Sequence, residues 1–513
     1  MLENTRITPA ICAACGAALS YYLLAPQLLS GRIGINALLA LLFAPVAALC
    51  FFRSLASLSF AVDLEPRAAR AIRVLPMFLA AFSIGLALGI SAGAQVSRGP
   101  ALGIPAGSVV GISGTLLDDP RLVSGGSAMA AVSLRALAGA SGARATARGE
   151  ITVFFREENA ARLREFGRGT EVFAEGRLQA SSVGAFGGAY IFSADSLHVT
   201  AAAQPLDRFR TGLRLGLAER FAGHSGDAAG GAPWGGLALA LLLGIRDNLD
   251  SGLTALYRGA GISYILALSG MHLAVIIGLV SFLLKKPLGL RPAAIVGAII
   301  IVLYCFVVGP LPSLYRSALM YLLGVFAVLG MLKRESLSVL SMAFVIQIAL
   351  TPQAGISLSF TLSYLAMVGI LVLGKALGGI LRGIIPPFFL GPFALSLGAF
   401  IGTAGLVAWV FGDLRPAGIF AGLVVAPLTT VFMVGAMIWL ALDAALPALS
   451  PLIAQPLSLL YRAMEETARI AGFLPSINAN PYLVLLLSLL TAAFIIWLDF
   501  RLRAYRNRVK AFA

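Results

Sequence analysis

In residues 257–279, Ser269, Gly270 and His272 stand in the middle of an otherwise apolar run of membrane length. Glycine costs about 1 kcal/mol in a helix interior relative to alanine. A histidine at bilayer depth usually faces a bundle interior or a wet cavity. Polar groups at such a place fit a locally broken helix that lines a pathway. A second intramembrane group lies in residues 311–320, where Pro312 suits the first position of a helix and Arg316 follows within its first turns. An intramembrane arginine is expensive and normally has a partner or a wet site. Its planar guanidinium suits phosphate. The competing roles are snorkelling to the outer interface and pairing with an acidic group. Ser269, Gly270, His272 and Arg316 are thus the expected lining of a substrate path.

Other chemistry finds less support. A hydrolase using Ser269 or His272 would need an orienting acid, and no carboxylate stands beside them. Residues 369–375 read Gly-x-x-x-x-Gly-Lys, but Ala376 replaces the serine or threonine of a P-loop, and the stretch closes a membrane span. Cys12 and Cys15 form a CxxC with no second pair to complete a zinc site. His198, His224 and His272 form no close His-x-His cluster for a two-metal centre. No resident metal or cofactor is expected, and the chain reads as a transport protein rather than an enzyme.

The elements that must position these groups are membrane helices. Of 513 residues, 59% are hydrophobic and only 12% charged, against roughly 25% charged in soluble domains. The net charge of +15 reflects orientation first. Apolar spans are expected over 7–29, 33–52 and 74–96, each near the roughly 20 residues that a crossing requires. Further spans are expected over 263–284, 293–309, 314–332, 336–350, 354–373, 388–411, 417–440, 452–473 and 482–498. Basic loops at Arg53–Arg73, Lys285–Arg291, Lys333–Arg334 and Lys375–Arg382, with the tail from Arg501, place both termini in the cytoplasm with about twelve crossings. The tail also suits anionic lipid.

Between the third and fourth spans the composition changes. Short alternating runs over 107–117, 128–137, 149–155, 170–178 and 189–199 are separated by glycine and polar clusters, which predicts five strands in a small barrel or sandwich, an OB-type barrel preferred. Such barrels bind single strands through stacking aromatics and basic grooves. Phe155, Phe173 and Tyr190, with Phe154 and Phe192, are the aromatics available to stack or to fill a core, and Arg156 and Arg177 the groups available to phosphates. The balance of acidic and basic residues is not the basic footprint of a strong nucleic-acid reader. Residues 208–221 predict an amphipathic helix at the membrane surface, and 232–245 an interfacial or re-entrant segment. The expected fold is a polytopic α-helical membrane protein with an inserted extracytoplasmic OB-like β-barrel. It divides into helices over 1–96, the barrel over 97–207, interfacial helices over 208–250, a helical channel domain over 251–500 and a basic tail over 501–513.

The run Gly261-Ile262-Ser263 followed by Leu266-Ala267-Leu268-Ser269-Gly270-Met271-His272 resembles the signature of the ComEC family of competence proteins, with Tyr264 in place of that family's first histidine. Arg316 maps onto the arginine of a similar Pro-Ser-x-x-Arg-Ala stretch, residues 355–369 resemble its Leu-Ser-Phe stretch, and 411–428 share its closing Ala-Pro-Leu. The resemblance implies an inner-membrane channel passing single-stranded DNA into the cytoplasm during transformation. It also implies a periplasmic DNA receptor, a cytosolic helicase or ATPase and an oligomeric state open to homo-oligomers. It covers the outer barrel and the channel but not the metallo-β-lactamase-type domain that many such chains carry. A transporter of another solute or envelope intermediate on the same scaffold is the alternative.

Overall fold

The computed structural model describes residues 102–122, 127–140, 142–156, 166–180, 190–224, 233–309, 311–331, 335–478 and 480–512, with a few isolated helical positions. The spans expected over 7–29, 33–52 and 74–96 lie outside them, apart from Ala14, Ala17, Ala18, Tyr21, Tyr22 and Gly85.

The outer segment forms β1 (Val109–Leu116), β2 (Arg121–Leu122), β3 (Ala128–Gly139), β4 (Arg144–Thr146), β5 (Glu150–Phe155), β6 (Glu171–Ala180) and β7 (Tyr190–Ala201). Five of these close a ring. β1 pairs antiparallel with β3 and β6, β3 with β5, and β6 with β7, while β5 and β7 run parallel. The order β1-β3-β5-β7-β6-β1, with its single parallel pair, is the closed five-stranded OB barrel. The alternation that predicts each strand is the alternation of the core: Ile112, Leu116, Val132, Ile151, Val153, Val172 and Phe192 point inward and are at most 2% exposed.

Twelve helices follow among the described residues. The first three are α1 (Pro205–Ala222), α2 (Trp234–Leu243) and α3 (Ser251–Gly259), and the next three α4 (Gly270–Leu288), α5 (Leu290–Val308) and α6 (Pro312–Leu329). Then come α7 (Ser336–Leu350), α8 (Leu358–Ile380), α9 (Pro387–Phe411), α10 (Ala417–Ala445), α11 (Ser450–Gly472) and α12 (Pro481–Phe512). Seven are long and apolar enough to cross a membrane: α4, α5, α6, α8, α9, α10 and α12. Two of the expected spans fall short of this. α7 has 15 residues, about 22 Å of helix, against a hydrocarbon core of about 30 Å. α11 is long enough but amphipathic, with Glu465 and Glu466 paired to Arg469.

Residues 369–375 are not a phosphate loop. Gly369–Gly374 is a π-helical turn inside α8, and Lys375 continues the helix instead of lying in a loop. The wide turn packs on α9, where a Cβ on Gly398 would sit 2.6 Å from the Gly374 nitrogen. Only glycine permits that approach. The segment expected to be interfacial or re-entrant, now α2, is buried at all ten positions. It is a short apolar helix enclosed by protein, since its core also takes in Leu253, Tyr257, Val425, Phe432, Trp439 and Met464 from α3, α10 and α11.

Candidate functional site

The span expected over 263–284 is broken. α3 ends at Gly259, a single tight turn covers Ser263–Ile265, and α4 begins only at Gly270. Breaking the helix frees backbone carbonyls, which cannot be left bare in a membrane. Two are taken up by other elements. Arg246 Nη2 donates to the Leu266 carbonyl at 2.9 Å, and Ser313 Oγ donates to the Leu268 carbonyl at 2.6 Å.

Ser269 is therefore the residue before α4, in extended backbone, instead of a helix-interior serine. Its N–H donates to His272 Nδ1 at 3.1 Å, and its Oγ lies 3.1 Å from the same nitrogen. His272 thus closes the helix start from the third helical position, where a glutamate commonly does so. With Nδ1 accepting, the ring proton belongs on Nε2. That nitrogen is buried and has no hydrogen-bond partner among the described residues, and His272 itself is 0% exposed.

Gly270 opens α4 with ordinary helical backbone, so left-handed freedom is not what it supplies. A Cβ there would sit 2.6 Å from Ser317 Oγ and 3.4 Å from Arg316 Nη2. Glycine lets α4 approach the first turns of α6, and brings the break against Arg316.

Arg316 is 5% exposed. Its Nε donates to Ser363 Oγ of α8 at 2.8 Å, and its guanidinium carbon stands 5.9 Å from the centroid of the Tyr364 ring. Tyr364 donates to Gln347 Oε1 at 2.9 Å, and Gln347 Nε2 donates to the Pro312 carbonyl at 2.9 Å. No carboxylate pairs with Arg316 among the described residues. The charge is held in place by neutral polar groups, which orient a cation without cancelling it. Arg316 is legible in the sequence as a candidate, and Ser363 as a serine able to hydrogen-bond between helices; Tyr364 and Gln347 are not legible as part of the site. Their signal was only that they are polar in apolar helices.

The barrel divides its candidates differently. Phe155 is 1% exposed and packs in the barrel core with Phe192, so the stacking expected of it is not open to it. Tyr190 is partly buried against the same core. Phe173 is half-buried on β6 and its ring covers Gly111 of β1. Arg177 is exposed. Arg156 is exposed but bridged to Asp195 at 2.6 Å.

The expected surface helix is α1, and two of its arginines are turned inward. Arg210 donates from Nη1 and Nη2 to Asp119 at 3.0 and 2.6 Å, and from Nε to the Phe306 and Val307 carbonyls at 2.9 and 3.1 Å. Arg214 Nη1 donates to the Val307 and Val308 carbonyls at 3.0 and 2.8 Å. Two cations thus sit on the open carbonyls that end α5, where the helix dipole favours positive charge. Asp119, from the barrel, completes the joint. Burial pushes its carboxyl up, but the hydrogen bond from Arg210 and the charges of Arg214 and Arg210 outweigh it and hold the group below its ordinary value. Leu206, Phe209 and Leu213 lie exposed on another side of α1, an apolar stripe suited to lipid.

A family model described as Competence protein matches residues 241–503, just over half of the chain, from the end of α2 into α12. The broken segment, Arg316 and their polar partners all fall inside the match. An uncharacterized protein of Aquifex aeolicus (strain VF5) is 29% identical over 194 residues, which cover 37% of this chain and 44% of that relative. No solved structure matches.

Proposed function

The chain belongs to the competence protein family, which supports a part in DNA uptake for transformation, and on that footing we propose that it is the inner-membrane channel through which single-stranded DNA enters the cytoplasm. The observation that carries this reading is the broken helix before Gly270, with Arg316 packed against it and lacking a carboxylate among the described residues. A phosphodiester chain is a dense line of negative charge, so a purely apolar passage would exclude it. An arginine positioned by Ser363, Tyr364 and Gln347 meets passing phosphates without holding them through a rigid cage. Ser269 and His272 shape the break, and Gly270 keeps α4 and α6 close beside it.

In this reading the barrel stands on the outer side, receives the strand from a periplasmic DNA receptor, and uses Phe173, Tyr190, Arg156 and Arg177 as its contacts. A cytosolic helicase or ATPase supplies the pull, both termini are cytoplasmic, and copies of the chain are free to associate. Uptake of labelled DNA into a deletion strain complemented with this chain tests the proposal. Uptake restored by the wild-type chain and lost with Arg316→Ala, at equal protein in the membrane, is the expected result. Uptake independent of the chain would overturn it.

A further inference from the structure

The stretch 118–122 that follows β1 is stitched to β3 and to the helices. Asp118 accepts the Ala131 N–H at 2.8 Å, Asp119 is held by Arg210, and the Leu122 N–H donates to Asp247 Oδ1 at 3.1 Å. That last bond crosses from the barrel to the turn between α2 and α3. It brings Arg121, one residue before Leu122, beside Arg246, one residue before Asp247.

Arg246 is exposed, and its Nη2 donates to the Leu266 carbonyl within the broken segment. It has no carboxylate in ion-pair range among the described residues. Among the described residues Arg121 has one ion-pair partner, Asp118 at 3.6 Å, and its own side chain is 60% exposed. Of the nearby carboxylates, Asp119 is engaged by Arg210 and Arg214, Asp118 faces Arg121, and Asp247 accepts the Leu122 N–H. Partial burial, and then the charge of Arg121, lower the Arg246 pKa, so the two cations feel one another. Like charges gathered at an open edge are relieved by an anion between them. In a five-stranded barrel of this topology the connection after the first strand is one of the loops that hold oligonucleotides.

We propose that Arg121 and Arg246 form a phosphate-binding rim, built jointly by the barrel and the helical domain, that holds the phosphodiester backbone of a single strand at the edge of the break leading to Gly270. The inference rests on the channel reading above and gives it an entrance. Each guanidinium offers a fork of donors that matches a phosphate in two places. The joint of Asp119 with Arg210 and Arg214 fixes the barrel so that both halves of the rim stay together.

The test uses the full chain in nanodiscs of neutral lipid, titrated with a fluorescein-labelled oligothymidylate at several salt concentrations. For single strands, log K falls against log salt with a slope of about 0.7 per phosphate contact. R121Q/R246Q should therefore flatten the slope by about 1.4 and weaken binding at low salt by about tenfold or more. R144Q/R148Q, which removes the same charge from the opposite end of β3, should leave both unchanged. Arg246→Lys keeps the cation and should retain most of the slope, which separates a lost charge from a lost fold. Overlapping titrations of R121Q/R246Q and the wild type, or an equal loss with R144Q/R148Q, would overturn the rim. Measuring DNA uptake with the same variants separates the two readings. Rim-dependent binding without uptake would sink the channel and leave the rim; normal uptake and binding by R121Q/R246Q would sink the rim and leave the channel.

Discussion

Gly270 and Arg316 are legible in the sequence as oddities, a glycine and a charge where an apolar helix is expected. What makes them a site is not legible, because the contacts that define it come from α6 and α8. Ser317 sets the room at Gly270 and Ser363 holds Arg316 Nε. Gly270→Ala should act by overpacking, which costs about 1–3 kcal/mol, and Ser317→Ala should restore most of the loss by removing the colliding oxygen. Thermal unfolding in detergent, with uptake measured beside it, checks both. Failure of Ser317→Ala to rescue would move the glycine's importance elsewhere. For Arg316, lysine should be nearly as harmful as alanine to uptake. A lysine cannot bond Ser363 through Nε while turning other nitrogens toward Gly270. Near-normal uptake with Arg316→Lys would mean that charge alone suffices.

Among the elements, the barrel was the most legible, since period-two alternation over the five expected strands carries most of the inner face, Ala147 and Leu163 being added from outside them. α1 was the least. Its range is close to the expected one, but spacing cannot reveal that Arg210 and Arg214 turn toward a carboxylate in the barrel and the end of α5, both about ninety residues away along the chain. The same limit hid Arg246, whose meaning depends on Leu122 and Leu266. The joint has a pH signature. Because the Asp119 carboxyl is held below its ordinary value in the fold, its contribution is complete above the unfolded value. It is lost only as pH falls through the lower folded value. Mild acid near the ordinary carboxylate range should therefore leave α1 protected from hydrogen exchange. Asp119→Asn should remove that protection at neutral pH, at a cost of about 3–5 kcal/mol, because Arg210 is left buried without its partner. In a double-mutant cycle, Asp119→Asn with Arg210→Gln should cost clearly less than the sum of the two. Additive losses would show that the pair does not act as a unit.

Across the whole molecule, the basic loops and the described helices constrain each other. Lys285 and Lys286 end α4, and Arg382 follows α8, so those ends share one side. α5 and α9 run back from that side, and the barrel docks where α5 finishes, at Phe306–Val308. The short α7 and the amphipathic α11 still carry the chain from one face to the other: Gln347, near the end of α7, bonds the Pro312 carbonyl that opens α6, and Ile477, after α11, pairs with Leu414, after α9, so α8 and α12 both run back toward the basic side. The positive-inside rule therefore predicts Glu150, on β5, outside the cytoplasmic membrane and the tail after Arg501 inside it. Alkaline phosphatase fused after Glu150 should be active, since it folds only when exported. A green fluorescent reporter at Ala513 should be bright, since it matures on the cytoplasmic side. An inactive phosphatase at Glu150 would put the barrel, its rim and the joint at the end of α5 on the cytoplasmic face. The strand would then meet Arg121 and Arg246 on leaving the membrane instead of on entering it.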